Sequence, residues 1–172
     1  MTRTTNARLA GVTFLIYIAA GVTSLAMSGR PHVTDVLSLL TSLSALTLGV
    51  TLYAITREVD PDLAMLALTC RVVEAMPGNQ GAFFFAVGST LFCWLLLRGR
   101  MIPIALAWLG VLSSAFLVVI LPLQRAGLFG GAVSWFSSVT WLMWLPMLVF
   151  EVTLAVWLII KGVTAPAQTR QA

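Results

Sequence analysis

The sequence predicts an all-α polytopic membrane bundle of six transmembrane helices, with both termini in the cytoplasm. Three observations predict it. First, hydrophobic residues make up 59% of the 172 residues and charged residues only 9%, whereas soluble domains contain roughly 45–50% and 25%. Second, apolar runs that match the length of a bilayer crossing alternate with short breaker segments. Third, basic residues concentrate in the loops on one side of the predicted membrane.

The composition also excludes several classes of protein. Ten Lys and Arg and six Asp and Glu residues cannot cover the surface of a soluble enzyme. A disordered chain and a disulfide scaffold are excluded by the same composition, and the scattered net charge of +4 argues against nucleic-acid binding. The length predicts one integral membrane domain over residues 1–172.

The first three helices are separated by residues that interrupt or begin helices. Gly29-Arg30-Pro31 separates the first helix from the second. Asp60 is the predicted N-cap of the third helix, Pro61 its first residue, and Pro77–Gln80 closes it. At ~20 residues per crossing this third segment is short. The predicted ranges are 9–27, 33–56 and 62–76.

The last three helices are separated in the same way. Arg98-Gly99-Arg100 and Pro103 separate the fourth helix from the fifth, and Gln124–Gly131 separates the fifth from the sixth. The sixth run is long enough to tilt or to protrude. The runs also lack the ~10-residue alternation of an outer-membrane barrel. The predicted ranges are 81–97, 103–122 and 132–160.

The loop charges predict the orientation of the bundle. Basic residues are more abundant in cytoplasmic loops, and an even number of helices places both termini on that side. A second interpretation of the first helix is a signal peptide cleaved after Ala26, which would leave five helices. The predicted cytoplasmic residues are Arg3, Arg8, Arg57, Arg98, Arg100, Lys161 and Arg170, against Arg30 and Arg125 outside.

Three ionisable residues lie within the apolar helices, namely Arg71, Glu74 and Glu151. Each costs about 2.5–3.5 kcal/mol at a helix centre, so we expect them to pair inside the bundle. Arg71 lies ten residues after Pro61 and Glu151 ten residues before Lys161, which places both ~15 Å deep. We therefore predict that Arg71 and Glu151 face each other, joining helices 3 and 6. Glu74 shares the face of Arg71 at i+3.

Two interpretations of this buried cluster remain open. It is either a structural staple between two helices or a functional site, such as a proton relay or a contact for a polar headgroup. Trp141 and Trp144 share the helix face of Glu151, and Cys70 precedes Arg71. These three residues are candidate pocket-lining residues, although the tryptophans equally suit core packing. Both cysteines lie in apolar runs and suit small buried hydrophobes.

Helix 2 carries small and hydroxyl-bearing residues on one face. Such a face permits close helix packing, and a polar pore lining is the alternative interpretation. The residues of this face are Thr34, Ser38, Thr41, Ser42, Ala45 and Gly49.

Several stretches of the sequence together resemble one known family: Ala7–Gly11, Cys70–Ala75, Gly88-Ser89, Leu95–Arg98, Met101–Pro103, Leu109-Gly110, Leu145–Met147 and Glu151–Gly162. The family is DUF4386, a bacterial membrane protein family of unknown function. The resemblance implies a bacterial inner membrane location and supplies no activity. The family pattern has an Arg–x–x–Glu step on the third helix and a glutamate before a final Leu-Ala-Val-Trp-Leu run, which Arg71, Glu74 and Glu151 match. This chain departs from the pattern by shorter connections after helices 1 and 3.

The absence of known catalytic motifs favours a non-enzymatic module that binds a membrane partner protein or a lipid-like ligand. One alternative is a proton-coupled small transporter that uses the intramembrane glutamates. The other is a membrane-embedded enzyme with Glu74 or Glu151 as general acid or base. His32 is the only histidine, so we expect neither a bis-histidine haem nor a histidine-rich metal site, and no cofactor.

Overall fold

The protein is an all-helical bundle, as the sequence predicts. The computed structural model describes residues 2–78, 80–128 and 137–166, and within them it contains six α-helices and no strand. The first helix begins at Arg3 rather than at residue 9. Of the predicted sixth range, residues 132–136 lie outside the described residues. The helices are α1 (Arg3–Ala26), α2 (Pro31–Thr56), α3 (Pro61–Glu74), α4 (Gly81–Arg98), α5 (Ile104–Arg125) and α6 (Ser138–Ile160).

The start of α3 follows the predicted capping. The Asp60 carboxylate accepts a 3.2 Å hydrogen bond from the backbone N–H of Leu63, and Pro61 occupies the first helical position. A capping carboxylate satisfies one of the free N–H groups of the first turn, and proline has no N–H to lose there. The predicted N-cap and proline are therefore confirmed.

Within the described residues, five of the six helices are long and apolar enough to cross a membrane. The exception is α3, which has 14 residues and is about 21 Å long, short of the ~30 Å hydrocarbon core. The sequence predicts six transmembrane helices, whereas five of the six described helices are long enough to span a membrane. The polar residues Arg71 and Glu74 occupy the last turn of α3, where the helix ends.

The helices pack in chain order around a closed ring. Each contacts the next one along the chain, and α6 returns to α1. Small residues bring the backbones together, since a Cβ added to Gly11 on α1 would lie 2.7 Å from the carbonyl oxygen of Ala155 on α6. Gly88 on α4 similarly packs against Cys70 on α3. In this ring α3 packs between α2 and α4, and α6 packs between α5 and α1.

Polar contacts cross the end of the bundle where α1 begins and α6 ends. Arg98 forms a 3.0 Å ion pair with Asp60, and Arg3 forms an ion pair with Glu58. The backbone N–H of Thr164, beyond α6, donates a 3.0 Å hydrogen bond to the carbonyl of Met101. We call this the terminal end of the bundle and the other the distal end.

Candidate buried polar site

Arg71 is the centre of a polar cluster inside the bundle. Its side chain is 1% exposed. One guanidinium nitrogen donates a 2.9 Å hydrogen bond to Oε2 of Glu74, and the other donates a 2.9 Å hydrogen bond to Oγ of Ser89 on α4. The guanidinium carbon also lies 4.8 Å from the centroid of the Phe85 ring, within the range of a cation–π interaction. The predicted shared face of Arg71 and Glu74 is confirmed.

Aromatic residues from three helices surround this ion pair. The hydroxyl of Tyr17 on α1 donates a 2.8 Å hydrogen bond to Oε1 of Glu74. The Tyr17 ring is parallel to that of Phe85, with centroids 6.3 Å apart. The Trp144 ring on α6 lies 5.4 Å from the same Phe85 ring. We call the set Tyr17, Arg71, Glu74, Phe85 and Ser89 the Arg71 cluster.

The hydrogen bonds of the cluster offset much of the cost of burying charge. A buried ion pair is tolerated only when further hydrogen bonds satisfy its remaining polar atoms. Both carboxylate oxygens of Glu74 have a partner, and so do both terminal nitrogens of Arg71. Nε of Arg71 is also buried, and it has no hydrogen-bond partner within residues 2–78, 80–128 and 137–166.

Glu151 is the third ionisable residue of the predicted cluster, and that it faces Arg71 stays a prediction. Glu151 is 5% exposed, and among the described residues its Oε1 has no hydrogen-bond partner. Within the described part of the chain no ion pair joins Glu151 to Arg71, although the two side chains interact electrostatically. In the ring, α3 and α6 face each other across the interior, where Arg71 shares a cavity with Met147, Phe150 and Leu154 of α6. The guanidinium of Arg71 instead donates its hydrogen bonds to Glu74 on the same helix and to Ser89 on the adjacent helix.

A narrow cavity lies on the α6 side of Arg71, with room for about one water molecule. Arg71 and Ser89 supply its strongly polar side chains, and the rest of its wall is apolar or weakly polar. The remaining lining residues are Phe14, Leu52, Phe92, Cys93, Leu96, Met147, Phe150 and Leu154.

The three predicted pocket residues lie outside this cavity. Trp144 packs on Phe85 beside the cluster, whereas Trp141 is 39% exposed near the start of α6. Cys70 is buried at the contact with Gly88. The thiol that lines the cavity is that of Cys93, which is also buried and free.

Reasoning from the sequence missed two hydrogen-bonding members of the cluster, Tyr17 and Ser89. Tyr17 lies 57 positions from Glu74 along the chain and Ser89 lies 18 positions from Arg71. A tyrosine within an apolar run is a weak signal, because its hydroxyl generally requires a partner when buried. Ser89 follows Gly88, and a glycine–serine pair at a close helix contact is a second weak signal.

Comparison with known proteins gives one match. Residues 79–162 match the family described as Domain of unknown function (DUF4386), and the resemblance seen in the sequence is thereby confirmed. The matched range contains α4, α5, α6 and Glu151, whereas Arg71 and Glu74 precede it. No curated protein and no solved structure matches the chain.

Proposed function

We propose that this chain is a non-enzymatic membrane module that binds the polar end of a lipid-like ligand in the cavity beside Arg71. One observation carries the proposal. Arg71 is buried and lines a cavity whose wall is otherwise apolar apart from Ser89, and among the described residues its Nε lacks a hydrogen-bond partner. Apolar pockets with a few convergent polar groups are the usual form of small-molecule sites.

The chemistry of the wall defines the class of ligand. Nε–H of Arg71 is a donor, so the polar end of the ligand must offer a hydrogen-bond acceptor. The surrounding Phe92, Phe150 and Leu154 suit an apolar tail. An unpaired buried donor costs about 1–3 kcal/mol, and a ligand acceptor would recover part of that free energy.

The cavity must widen to admit a ligand larger than water. Met147 is the side chain best suited to this, because methionine is flexible and adapts to irregular spaces. Its sulfur lies 3.8 Å from the Ser113 hydroxyl, and the residue is 1% exposed. Movement of this side chain would enlarge the cavity without breaking the Arg71–Glu74 ion pair.

Native mass spectrometry of the protein in lipid nanodiscs tests the proposal. We expect the wild type to retain a reproducible bound mass that Met147→Phe removes, because the larger ring fills the cavity. Leu145→Phe is the matched control, since Leu145 is 50% exposed on the same helix. A wild type without any bound mass, or equal retention in both variants, would contradict the proposal. A second protein chain of defined mass would identify a partner protein instead.

A second candidate function is a proton-coupled small transporter. Glu151 supports it, because a buried carboxylate with a partnerless oxygen is costly in a membrane and such residues often serve ion pathways. Proton flux in proteoliposomes with an internal pH-sensitive dye is the test. We expect Glu151→Gln to abolish flux and Glu58→Gln, an exposed terminal-end control, to leave it intact. Equal flux in Glu151→Gln and wild type would rule out this candidate.

The proposed location is a bacterial inner membrane with both termini in the cytoplasm. The asymmetric distribution of basic loop residues supports the orientation. The resemblance to DUF4386 over α4 to α6 supports the bacterial setting.

A further inference from the structure

Because the third helix is short, the distal part of α2, which follows α1 through a short turn, has no α3 residues beside it. Gly49 on α2 lies directly opposite Arg71, since an added Cβ would be 2.9 Å from the Cβ of Arg71. Towards the distal end, α3 extends about one turn beyond this contact and ends at Glu74. On the same side of the contact, α2 extends to its first residue, Pro31. At 1.5 Å per residue, α2 extends about 20 Å further towards the distal end than α3 does.

The burial pattern of α2 changes where α3 ends. Every buried residue of α2 lies between Ser44 and Thr56, and residues 31–43 include none. The face that packs on α3 at Gly49 continues through Ser42, Ser38 and Thr34 at helical spacing. This distal face therefore bears hydroxyl groups and has no buried position.

Two of these hydroxyl groups have no hydrogen-bond partner in the part of the chain that the structure describes. Thr34 donates a 2.8 Å hydrogen bond to the carbonyl of Pro31. The hydrogen bonds of the described residues include none from Ser38 or Ser42, of which Ser38 is exposed and Ser42 half-buried. Hydroxyl groups facing hydrocarbon without a partner are unfavourable, whereas water satisfies them.

The connection from α3 to α4 is a second feature that indicates water near the distal end of the bundle. Charged residues at Asp60 and Arg98 mark the terminal-end interface, and the 14 residues of α3 end within the hydrocarbon thickness. Met76, Pro77 and Gly78 follow as exposed, non-helical backbone. Non-helical backbone at membrane depth is tolerated only where protein buries it or water reaches it.

We infer that a water-filled vestibule enters the bundle from the distal end, along the Thr34–Ser38–Ser42 face of α2, and ends at Glu74. The floor is the Tyr17–Glu74 hydrogen bond, because the Glu74 side chain is only 6% exposed beneath it. The terminal end is bridged by the Arg98–Asp60 and Arg3–Glu58 ion pairs. Polar solutes in the vestibule thus reach the Arg71 cluster from the distal end, whatever ligand the cavity binds.

Cysteine labelling in lipid nanodiscs tests the vestibule without a known ligand. Ser42→Cys and Ser38→Cys place a nearly isosteric thiol on the proposed wet face. Leu43→Cys and Leu39→Cys are the matched controls, because these leucines are 62% and 72% exposed on other sides of α2 at nearly the same depth. The probe is a charged, water-soluble methanethiosulfonate, and the unmodified protein gives the background of the buried native cysteines.

We expect both serine variants to react about tenfold or more faster than their leucine controls, because only a hydrated thiol ionises to the reactive thiolate. Equal rates within each pair would overturn the inference. A spontaneous disulfide-linked dimer of Ser38→Cys would also overturn it, since a second copy of the chain would then cover this face. Either result leaves the ligand-binding proposal to be judged by the Met147→Phe experiment.

Discussion

Tyr17 and Glu74 are joined by a 2.8 Å hydrogen bond between the first and third helices. Together with the 2.9 Å contact from Arg71, it leaves both oxygens of Glu74 with a partner. Glu151 lacks this arrangement, because its Oε1 is buried without a partner. The two membrane glutamates therefore occupy different environments.

Tyr17→Phe removes the hydroxyl and keeps the ring. We expect a loss of about 1 kcal/mol in the free energy of unfolding, since one hydrogen bond to a buried charge disappears. Tyr53→Phe is the control, because Tyr53 is partly buried and its hydroxyl makes no hydrogen bond within the described residues. The measurement is reversible unfolding in mixed micelles. Equal effects of the two variants would show that the Tyr17 hydroxyl contributes nothing.

Double-mutant cycles test which carboxylate Arg71 pairs with. Arg71→Met alone should destabilise by about 3–5 kcal/mol, because it leaves a buried carboxylate without its cation. Combined with Glu74→Gln, it should cost clearly less than the sum of the single changes, with a coupling of about 1 kcal/mol or more. The cycle that combines Arg71→Met with Glu151→Gln should show a smaller coupling energy than the cycle with Glu74→Gln. The opposite order would restore the Arg71–Glu151 ion pair that the sequence predicts.

Contacts within one helix can be predicted from the sequence, whereas contacts between distant helices cannot. Helical spacing correctly put Arg71 and Glu74 on one face, because i and i+3 are neighbours on any α-helix. Counting residues from the helix ends estimated the depth of Arg71 and Glu151. It could not reveal their angular positions in the ring, because the order of helices depends on packing between distant parts of the chain. Tyr17 and Ser89 were missed for the same reason.

Glu151→Gln keeps the shape of the side chain and removes its charge. We expect the thermal unfolding midpoint to stay at or above that of the wild type, because the buried Oε1 of Glu151 forms no hydrogen bond. Glu74→Gln should unfold at a lower temperature, since it weakens two contacts. A Glu151→Gln variant less stable than Glu74→Gln would mean that Glu151 is the structural staple.

Glycine packing gives a prediction within a single helix. Gly11→Ala should destabilise the bundle by about 1–3 kcal/mol, because its Cβ would lie 2.7 Å from the backbone oxygen of Ala155. Gly21→Ala on the same helix is the control, since nothing lies within 4 Å of its added Cβ. It should be neutral or stabilising by up to about 1 kcal/mol. Unfolding of both variants in one detergent makes the comparison, and similar losses would contradict the close contact of α1 and α6.

The predicted orientation is open to a labelling experiment in cells. Ser28→Cys lies in the α1–α2 turn and Thr164→Cys lies beyond α6 at the opposite end of the bundle. With cytoplasmic termini, an impermeant maleimide should label Ser28→Cys in intact spheroplasts and Thr164→Cys only after lysis. The reverse pattern would place the termini outside.

The position of Glu74 one turn after Arg71 bears on how the chain enters the membrane. During synthesis α3 emerges before α4, α5 and α6 exist, so a counter-charge on α6 could not assist its insertion. Arg71 forms a 2.9 Å ion pair with Glu74 on the same helix. Its charge is therefore neutralised without a residue from a later helix. Ser89 then arrives with α4, the next helix to be made. The least apolar helix of the bundle can thus be inserted as one hairpin with α4, ahead of the final closure of α6 onto α1.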